Sequence, residues 1–303
     1  MYSVLSLFFM LLWLNGSVLY VFSQQVTTGD YWTDLTRALA PEKLDEVAAK
    51  YRKQYYNAAP FPHFYVDNLF PNNVLEAILE ELKTTNMSKS FGETGIQYKK
   101  SALEDERAMK PVTRMLFGFL KSSIMMKFLQ DLTGVDSLIA DPGFRGSGIH
   151  MTGRGGHLKI HADFNKYDKN NNDFQLYRRV NTFIYLNKNW DEKWGGHLEL
   201  WNREMDGCYA RYPPAFNRYV VFSSTDFSYH GHPDPLDCPD DQYRISIALY
   251  YYTSHRPKNE CLKMKCNKPH STLWQDRKCK GCTDDAKCQC QLDVCKRYEY
   301  GQN

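Results

Sequence analysis

The change of hydrophobic period near residue 142 is the feature that most restricts how this chain can fold. Before it, apolar residues recur every three or four positions, as in DYWTDLTRALAPEKLDEVAAKYRKQYYNAA, which predicts amphipathic helices. After it come short alternating segments rich in β-branched and aromatic residues, separated by clusters of Gly, Pro, Asn and Asp. These segments are GSGIHMT, HLKIHAD, RRVNTFIYLN, HLELW, RYVVFS and RISIALYYYT. Many short strands after a run of helices predict a mainly β fold with α, a sandwich or jelly roll supported by N-terminal helices.

The helical part of the chain is predicted to span residues 24–141, with one strand inside it, FPHFYVDNLF. Pro71 begins the helix PNNVLEAILEELKTT, because proline fits the first position of a helix. One or two further helices follow in KPVTRMLFGFLKSSIMMKFLQDLTG, and Gly134 ends them. The β core is predicted over residues 142–255, where CYARYPPAFN offers one more short strand.

The first 23 residues are uncharged and mostly apolar, which is typical of a targeting segment. Val21 and Ser23 are small enough for signal peptidase, so we expect a signal peptide that is cleaved after Ser23. The alternative is an uncleaved single-pass anchor with the rest of the chain in the lumen, because the stretch is long enough to span a bilayer. Either reading directs the chain to the secretory pathway, and cleavage would give a protein of the endoplasmic reticulum lumen or the extracellular space without stable membrane association.

Residues 256–303 form a distinct tail that is rich in cysteine and poor in aliphatic residues. A segment of this composition buries little core, so cross-links or a metal must hold it. We expect disulfides, as in other secreted chains, and the CKGC sequence leaves zinc as the alternative. Because the tail has an odd number of cysteines, one is free, joined to another chain, or paired with Cys208 or Cys238. The tail cysteines are Cys261, Cys266, Cys279, Cys282, Cys288, Cys290 and Cys295.

Two further signals concern charge and modification. The formal net charge of +3 argues against generic nucleic-acid binding, which requires a clear basic face. The sequence Asn86-Met87-Ser88 is a glycosylation sequon, so Asn86 is a predicted glycosylation site if the chain is translocated. Neither signal indicates a nucleic acid as partner.

The segment HLKIHADFN carries a histidine and an aspartate two positions apart, His161 and Asp163. Because side chains alternate along a strand, both point to the same side and can bind one metal ion. A second histidine from elsewhere would complete a set of two histidines and one carboxylate, the arrangement of non-haem Fe(II) sites. The alternative for the isolated tripeptide is an ordinary surface ion pair.

A second group of candidate residues lies downstream, in FSSTDFSYHGHPDPLDCPDDQYRISIALYYYT. It offers His230 and His232 beside a strand, and Arg244 at the start of an alternating strand. Arg244 supplies a fork of donors that suits a buried carboxylate. Ser246 lies two positions on and shares its face, so the hydroxyl can add a hydrogen bond.

The order His-x-Asp, His, Arg-x-Ser resembles the 2-oxoglutarate/Fe(II) dioxygenases, whose fold is a double-stranded β-helix, and is closest to their prolyl 4-hydroxylase-like branch. The segment TFIYLNKNWDEKWGGHLELW resembles the middle strands of that branch, and PFPHFYVDNLFP resembles its first strand. The resemblance covers roughly residues 59–255 and leaves the Cys-rich tail outside. It implies a jelly roll for the β core.

The resemblance also implies a role for each matching residue. The segment SYH resembles the stretch that precedes the last metal ligand in this family, which favours His230 over His232. The loop from His230 to Arg244 is longer than usual in animal prolyl hydroxylases, which leaves His232 as the alternative ligand. His232 would then lie further along the same face. The implied iron ligands are His161, Asp163 and His230. The implied contacts to 2-oxoglutarate are Arg244 and Tyr185 on the far carboxylate, Ser246 beside them, and Leu198 and Phe183 as apolar wall.

The reaction implied by the resemblance is a hydroxylation that uses Fe(II), 2-oxoglutarate and O2, with ascorbate keeping the iron reduced. The expected substrate is a protein or peptide side chain, with proline as the first choice. The polar stretch from Phe164 to Arg179 follows the metal motif and is expected to border the substrate entrance, or else to be a surface excursion. The alternatives are an oxygenase for a small molecule or sugar, and a secreted binding protein that keeps the fold without catalysis.

Overall fold

The computed structural model describes residues 28–87, 89–91, 95–167 and 175–277, together with two short strands near the N-terminus, β1 (Trp13–Leu14) and β2 (Ser17–Val18). Apart from these two strands, the predicted signal peptide over residues 1–23 lies outside the described residues. So do the tail cysteines from Cys279 onward. In the described parts of the chain, no helix is long and apolar enough to cross a membrane.

Five α-helices support the sheet in the part of the chain that the structure describes, and their ends follow from local residue choice. Pro41 and Pro111 occupy first-turn positions, where a missing N–H costs nothing. The Ser122 side chain accepts a hydrogen bond from the Met125 backbone N–H, and Gly134 ends the last helix with a left-handed φ of 69°. These helices confirm the predicted helical segments. They are α1 (Thr28–Ala38), α2 (Pro41–Asn57), α3 (Asn72–Leu82), α4 (Pro111–Leu120) and α5 (Ser123–Thr133).

The remaining strands join one antiparallel sheet in the order β10-β9-β12-β7-β13-β8-β11-β3, with β4, β5, β6 and β14 attached beside this path. The pattern of the sequence did not predict β4, β5, β6 or β14. The strands are β3 (His63–Asp67), β4 (Lys89–Phe91), β5 (Gln97–Leu103), β6 (Ile139–Ala140), β7 (Gly148–Ala162), β8 (Tyr177–Tyr185), β9 (Leu198–Trp201), β10 (Cys208–Tyr212), β11 (Arg218–Ser223), β12 (Tyr229–His232), β13 (Arg244–Thr253) and β14 (Leu273–Trp274). Short 3-10 helices lie at Glu106–Ala108, Glu192–Trp194, Lys258–Glu260 and Leu262–Met264.

The long strand β7 belongs to both layers of the fold. Its first part, Gly148 to Thr152, pairs with β13, and its second part, Leu158 to His161, pairs with β12. The partner of β7 changes between Thr152 and Leu158, a stretch in which Gly155 has a φ of 76°. One layer therefore contains β7, β13, β8 and β11, and the other contains β7, β12, β9 and β10. Two curled antiparallel layers that share a strand confirm the predicted jelly roll.

Apolar side chains pack against both faces of this sheet, in a larger cluster outside and a smaller one inside. The larger one packs the helices against the outer face of β8, β11 and β13, with Phe117, Phe128 and Val180 among its buried members. The smaller one fills one end of the space between the layers, with Phe61, Leu200 and Phe222. The other end of that space holds a cavity that is lined by both polar and apolar side chains.

The first part of the Cys-rich tail returns to the sheet. Cys261 and Cys266 form a disulfide, which agrees with the expectation of disulfides in the tail, although this pairing was not predicted. Cys208 is also disulfide-bonded, while Cys238 is free and buried. We call residues 261–277 the C-terminal strap, because β14 within it pairs with the end of β7. Asn86, the predicted glycosylation site, is exposed shortly after α3, and its glycosylation stays a prediction.

Candidate active site

Three of the predicted side chains meet where β7 ends beside β12. His161 and His230 face each other across this strand pair, with ring centroids 4.5 Å apart. Asp163 lies just beyond the end of β7, and its two oxygens lie 3.6 Å from His161 Nε2 and 3.5 Å from His230 Nε2. One ligand atom from each residue lies within 4.8 Å of the others. The structure therefore brings together the three predicted iron ligands, and all three are buried or nearly so.

A β-bulge gives the two downstream histidines, His230 and His232, different positions relative to His161. Two steps along β12, from His230 to His232, match three steps along β7, from His161 to Leu158, so β7 carries one extra residue. His230 therefore lies opposite His161, while His232 lies opposite Leu158. His232 lines the same cavity but is not part of the cluster of ligand atoms.

The backbone fixes which nitrogen of each histidine is available. The Nδ1–H of His161 donates to the Lys159 carbonyl at 2.8 Å, and the Nδ1–H of His230 donates to the Ser228 carbonyl at 2.9 Å. A carbonyl can only accept, so Nδ1 carries a proton in both rings, and Nε2 is the nitrogen that faces Asp163. Burial lowers the pKa of His230 to about 4, which keeps this ring neutral at physiological pH.

Two unpredicted polar side chains hold the carboxylate of Asp163. Arg178 Nη2 lies 3.0 Å from Asp163 Oδ2, and Asn181 Nδ2 donates to the same oxygen at 2.6 Å. Arg178 Nε also donates to Asn181 Oδ1 at 2.7 Å, and its guanidinium stacks on the ring of Tyr250. Burial raises the pKa of Asp163, but Arg178 and the two histidines outweigh it and hold the pKa well below its ordinary value. The carboxylate is therefore ionised and fixed in orientation.

The position of Arg178 depends on a second bulge. Val180 pairs with Tyr251 and Arg178 pairs with Tyr252, so β8 carries one extra residue at this point. Strict alternation would place Arg178 on the face of Val180, which packs into the helix-side core. The extra residue moves Arg178 to the face of Asn181. The signal in the sequence is RRVN, two arginines in an otherwise buried strand, but alternation alone assigns Arg178 to the wrong side.

A second polar group lies on the inner face of the other layer. Arg244 is 7% exposed; its Nε donates to the Gly196 carbonyl at 2.6 Å and its Nη2 to the Tyr185 hydroxyl at 3.1 Å. Its third nitrogen, Nη1, has no hydrogen-bond partner in the part of the chain that the structure describes. Gly196 has a φ of 73°, and a Cβ there would lie 2.7 Å from Leu236 and 3.0 Å from Arg244. Glycine is thus required for the carbonyl to reach the guanidinium.

One cavity of about 260 Å³ connects the two polar groups. Ser246 lies between His150 and Tyr185 in the register of the sheet and lines this cavity, as do Leu198 and Phe183. The sequence had given no role to His150, whose Nε2 is buried without a hydrogen-bond partner among the described residues. Burial lowers the pKa of another unpredicted lining residue, Lys100 on β5, to about 8. Phe164 and Arg178, near the two ends of the stretch that was expected to border the substrate entrance, also line the wall, while residues 168–174 of that stretch lie outside the described residues. Further unpredicted residues of the wall are Gln97, Thr152, Tyr250, Thr272 and Trp274.

The sequence model of the 2OG-Fe(II) oxygenase superfamily matches residues 147–252. This stretch of the chain is a 2OG-Fe(II) oxygenase domain. The match confirms the resemblance and the class of enzyme predicted from the order His-x-Asp, His, Arg-x-Ser. It begins just before β7 and ends within β13, so it contains His161, Asp163, His230 and Arg244 but not the C-terminal strap.

Several solved structures are similar to this chain. One is a prolyl hydroxylase from Trichoplax adhaerens in complex with a hypoxia inducible factor oxygen degradation domain peptide fragment (18% identity, 70% of this chain and 91% of that chain covered, TM-score 0.49). A prolyl 4-hydroxylase structure from Phytophthora capsici has 16% identity, with 77% and 68% covered and a TM-score of 0.48. A prolyl-4-hydroxylase from Pseudomonas putida has 14% identity, with 69% and 98% covered and a TM-score of 0.49. No curated protein sequence matches the chain.

Oxygenases of this superfamily use Fe(II), 2-oxoglutarate and O2, and the donors of this cavity fit the first two. Two imidazole nitrogens and one ionised carboxylate that converge on one point of the cavity suit Fe(II). At the other end, the Arg244 guanidinium and the Tyr185 hydroxyl are donors for a carboxylate. Their assignment as ligands of iron and 2-oxoglutarate stays a prediction that this geometry supports.

Proposed function

We propose that this oxygenase hydroxylates a protein or peptide side chain, with proline as the first candidate, and that it works in the secretory pathway. The observation that carries the proposal is the convergence of two sites in one cavity. The cluster of His161, Asp163 and His230 lies at one end, and the Arg244–Tyr185 pair lies at the other. A single dicarboxylic cosubstrate can therefore reach both.

Each end of the cavity has a separate task in this reaction. Iron and 2-oxoglutarate together activate O2 for the hydroxylation of an unactivated C–H bond and yield succinate and CO2. The chain supplies the positions: His161, Asp163 and His230 hold the metal, while Arg244 and Tyr185 bind the far carboxylate. The apolar walls exclude water from the space between them. Ascorbate is expected to keep the metal in its reduced state.

The size of the cavity supports a side chain as substrate. Its volume of about 260 Å³ lies below the roughly 300–1,000 Å³ that is usual for pockets that enclose drug-sized ligands. Once 2-oxoglutarate occupies part of this volume, the remaining space suits one small group presented from outside. A proline or another side chain of a peptide meets that condition better than a large metabolite does.

The proposed compartment rests on the cysteines and on the first residues of the chain. Disulfides such as Cys261–Cys266 are typical of an oxidising environment, and the apolar stretch over residues 1–23 is typical of a segment that directs a chain there. The test is expression of the full chain with a C-terminal tag, followed by protease protection of microsomes. Protection that is lost only with detergent supports the proposal, and a protein found entirely in the cytosol contradicts it.

The reaction itself is tested by succinate formation with Fe(II), 2-oxoglutarate and ascorbate. Peptide libraries and metabolite extracts are added in parallel, and we expect peptides, proline-containing ones first, to stimulate turnover. The His161→Ala variant should be inactive. The matched control is His157→Ala, because His157 lies on the same strand but does not line the cavity. Stimulation by metabolites alone would replace the peptide substrate with a small molecule, and absence of turnover under all conditions would contradict the proposed activity.

A further inference from the structure

A strand from outside the oxygenase domain lies against the strand that carries His161. In β14, Leu273 pairs with Ala162 and Trp274 pairs with His161. The backbone N–H of Gln275 donates to the Ile160 carbonyl at 2.9 Å, which extends this pairing by one residue. The C-terminal strap therefore occupies the edge of β7 at the metal end of the cavity.

The indole of Trp274 covers the imidazole of His161. Their ring centroids lie 4.8 Å apart with an angle of 42° between the planes. On its other side, the His161 ring contacts the ring of His230 at 4.5 Å. The imidazole is thus held between two rings, and Trp274 and Thr272 also form part of the cavity wall.

Buried polar contacts hold the first part of the strap in place. The buried Asn165 side chain donates to the Lys268 carbonyl at 2.9 Å and accepts from the His270 backbone N–H at 2.9 Å. The Asp226 carboxylate accepts from the Leu262 backbone N–H at 2.7 Å and lies 3.0 Å from His270 Nε2. Backbone groups paired with buried side chains define one path for the strap, so the position of Trp274 is determined by the fold.

Two ion pairs fix the far end of the strap. Lys159 pairs with Asp276, and Arg277 Nη2 lies 2.7 Å from Asp234 Oδ1. Both partners in the domain lie close to the metal ligands in sequence, on β7 and after β12. Trp274 is therefore anchored on both sides along the chain.

We propose that Trp274 is a positioning residue of the oxygenase site, which holds the His161 imidazole in the orientation that metal binding requires. This proposal rests on the proposed metal site. The Lys159 carbonyl holds only the Nδ1–H of the imidazole, so the ring can still tilt about this hydrogen bond. The physical reason for the proposal is that contact with the indole restricts this remaining motion. The part of the chain beyond the oxygenase domain then contributes directly to the site, and the strap serves as more than a cross-linked tail.

The expected effect follows from the usual strength of contacts between aromatic rings. Removal of the indole should weaken metal binding by roughly threefold to tenfold, which corresponds to the usual energy of an aromatic pair. Phenylalanine keeps a ring at this position and should restore most of the affinity. Leu273 provides the matched control, because it is adjacent in the same two-residue strand but packs on the opposite side, against the cluster that contains Ile160 and Ala162.

The experiment measures binding of Co(II), a stand-in for Fe(II) that does not oxidise in air, by its absorption spectrum in the absence of substrate. Wild type, Trp274→Ala, Trp274→Phe and Leu273→Ala are compared, and thermal unfolding of each metal-free variant reports its folding. We expect Trp274→Ala to bind Co(II) three to ten times more weakly and with an altered spectrum. Trp274→Phe and Leu273→Ala should bind within about twofold of wild type.

Each possible outcome decides one question. If wild type binds no Co(II), the proposed metal site fails, whatever Trp274 does. If wild type binds and Trp274→Ala binds equally well with the same spectrum, only the positioning role is overturned. An equal loss in Leu273→Ala would also overturn it, because the effect would then come from β14 as a whole. Should Trp274→Ala fail to fold, Trp274→Leu replaces it, with the same expected loss of affinity and the same contradicting result.

Discussion

The two ends of the cavity are built in different ways. At the metal end, each predicted ligand is already held by another protein group. Backbone carbonyls orient His161 and His230, and the side chains of Arg178 and Asn181 orient Asp163. At the cosubstrate end, Arg244 uses two of its nitrogens on protein atoms, and its Nη1 has no hydrogen-bond partner among the described residues. At the metal end, other protein groups orient the ligands before a metal binds, whereas the cosubstrate end carries a buried charge that an incoming anion would neutralise.

The difference shows that one cavity can bind a metal ion at one end and an anion at the other by different physical means. A site with pre-oriented ligands binds a metal through positions that are fixed in advance, and its strength depends on the partners behind the ligands. A buried cation with an unused donor binds an anion because the anion removes the cost of burying the charge alone. Substitutions at one end should therefore change metal affinity, and substitutions at the other should change 2-oxoglutarate affinity.

The largest expected effect is the loss of a metal ligand. Structural zinc sites bind with roughly 10–16 kcal/mol spread over about four ligands, so one lost ligand should cost roughly a hundredfold or more in affinity. We expect this loss for Co(II) binding to His230→Ala. The control is His232→Ala, which removes a histidine of the same strand and the same cavity and should leave affinity within about threefold of wild type, because the bulge in β7 places it opposite Leu158. The opposite ranking of the two variants would make His232 the ligand.

The next effect concerns the buried cation at the cosubstrate end. Truncating one partner of a buried, hydrogen-bonded charge pair costs about 2–5 kcal/mol, so Arg244→Ala should bind 2-oxoglutarate at least about thirtyfold more weakly. Its Co(II) affinity should stay unchanged, which calorimetry of both ligands will show. Arg244→Lys keeps the charge but loses the fork, and an intermediate affinity is expected. Equal loss of metal and 2-oxoglutarate binding in Arg244→Ala would remove the distinction between the two ends.

A smaller effect tests whether the partners behind Asp163 matter. Partners of metal ligands typically contribute 10- to 100-fold in metal affinity, and we expect about tenfold for Asn181→Ala, measured by competition with a Co(II) chelator. The Arg178→Met variant should lose more, because it leaves a buried carboxylate without its cation. Unchanged metal affinity in both variants would show that the metal end does not depend on these contacts.

The smallest effect is expected from a single hydroxyl group. Tyr185→Phe keeps the buried ring and removes the oxygen that accepts from Arg244. A hydrogen bond of this kind contributes about 1 kcal/mol, so 2-oxoglutarate should bind roughly fivefold more weakly, with metal affinity unchanged. An effect as large as that of Arg244→Ala would indicate that Tyr185, and not the guanidinium, dominates recognition of the carboxylate.

Alternation along strands was enough to predict the pairs that share a face. His161 with Asp163 and Arg244 with Ser246 are two residues apart, and the structure places each pair on one cavity. The same rule could not reveal Arg178, since the extra residue in β8 reverses its side. A bulge leaves no clear mark in a sequence, because it depends on the pairing of two strands that are distant along the chain.

The strap shows a second limit of the sequence. Residues 261–277 contain few aliphatic side chains, so no hydrophobic period marks β14, and only the presence of disulfides in this region was predicted. The place of Trp274 beside His161 depends on long-range contacts such as those of Asn165. β5 escaped prediction for a similar reason, because QYKKSAL is too polar to read as a strand, yet it lies along β7 and brings Lys100 to the cavity.

Calorimetric titration of 2-oxoglutarate, with and without Co(II), tests most directly whether one ligand bridges both ends of the cavity. Wild type, His230→Ala and Arg244→Ala are measured side by side. We predict tight binding only to wild type in the presence of Co(II), and weak binding when the metal, His230 or the guanidinium of Arg244 is absent. If 2-oxoglutarate binds wild type equally well without metal, or binds Arg244→Ala as tightly as wild type, the cavity does not hold the metal and the cosubstrate as described.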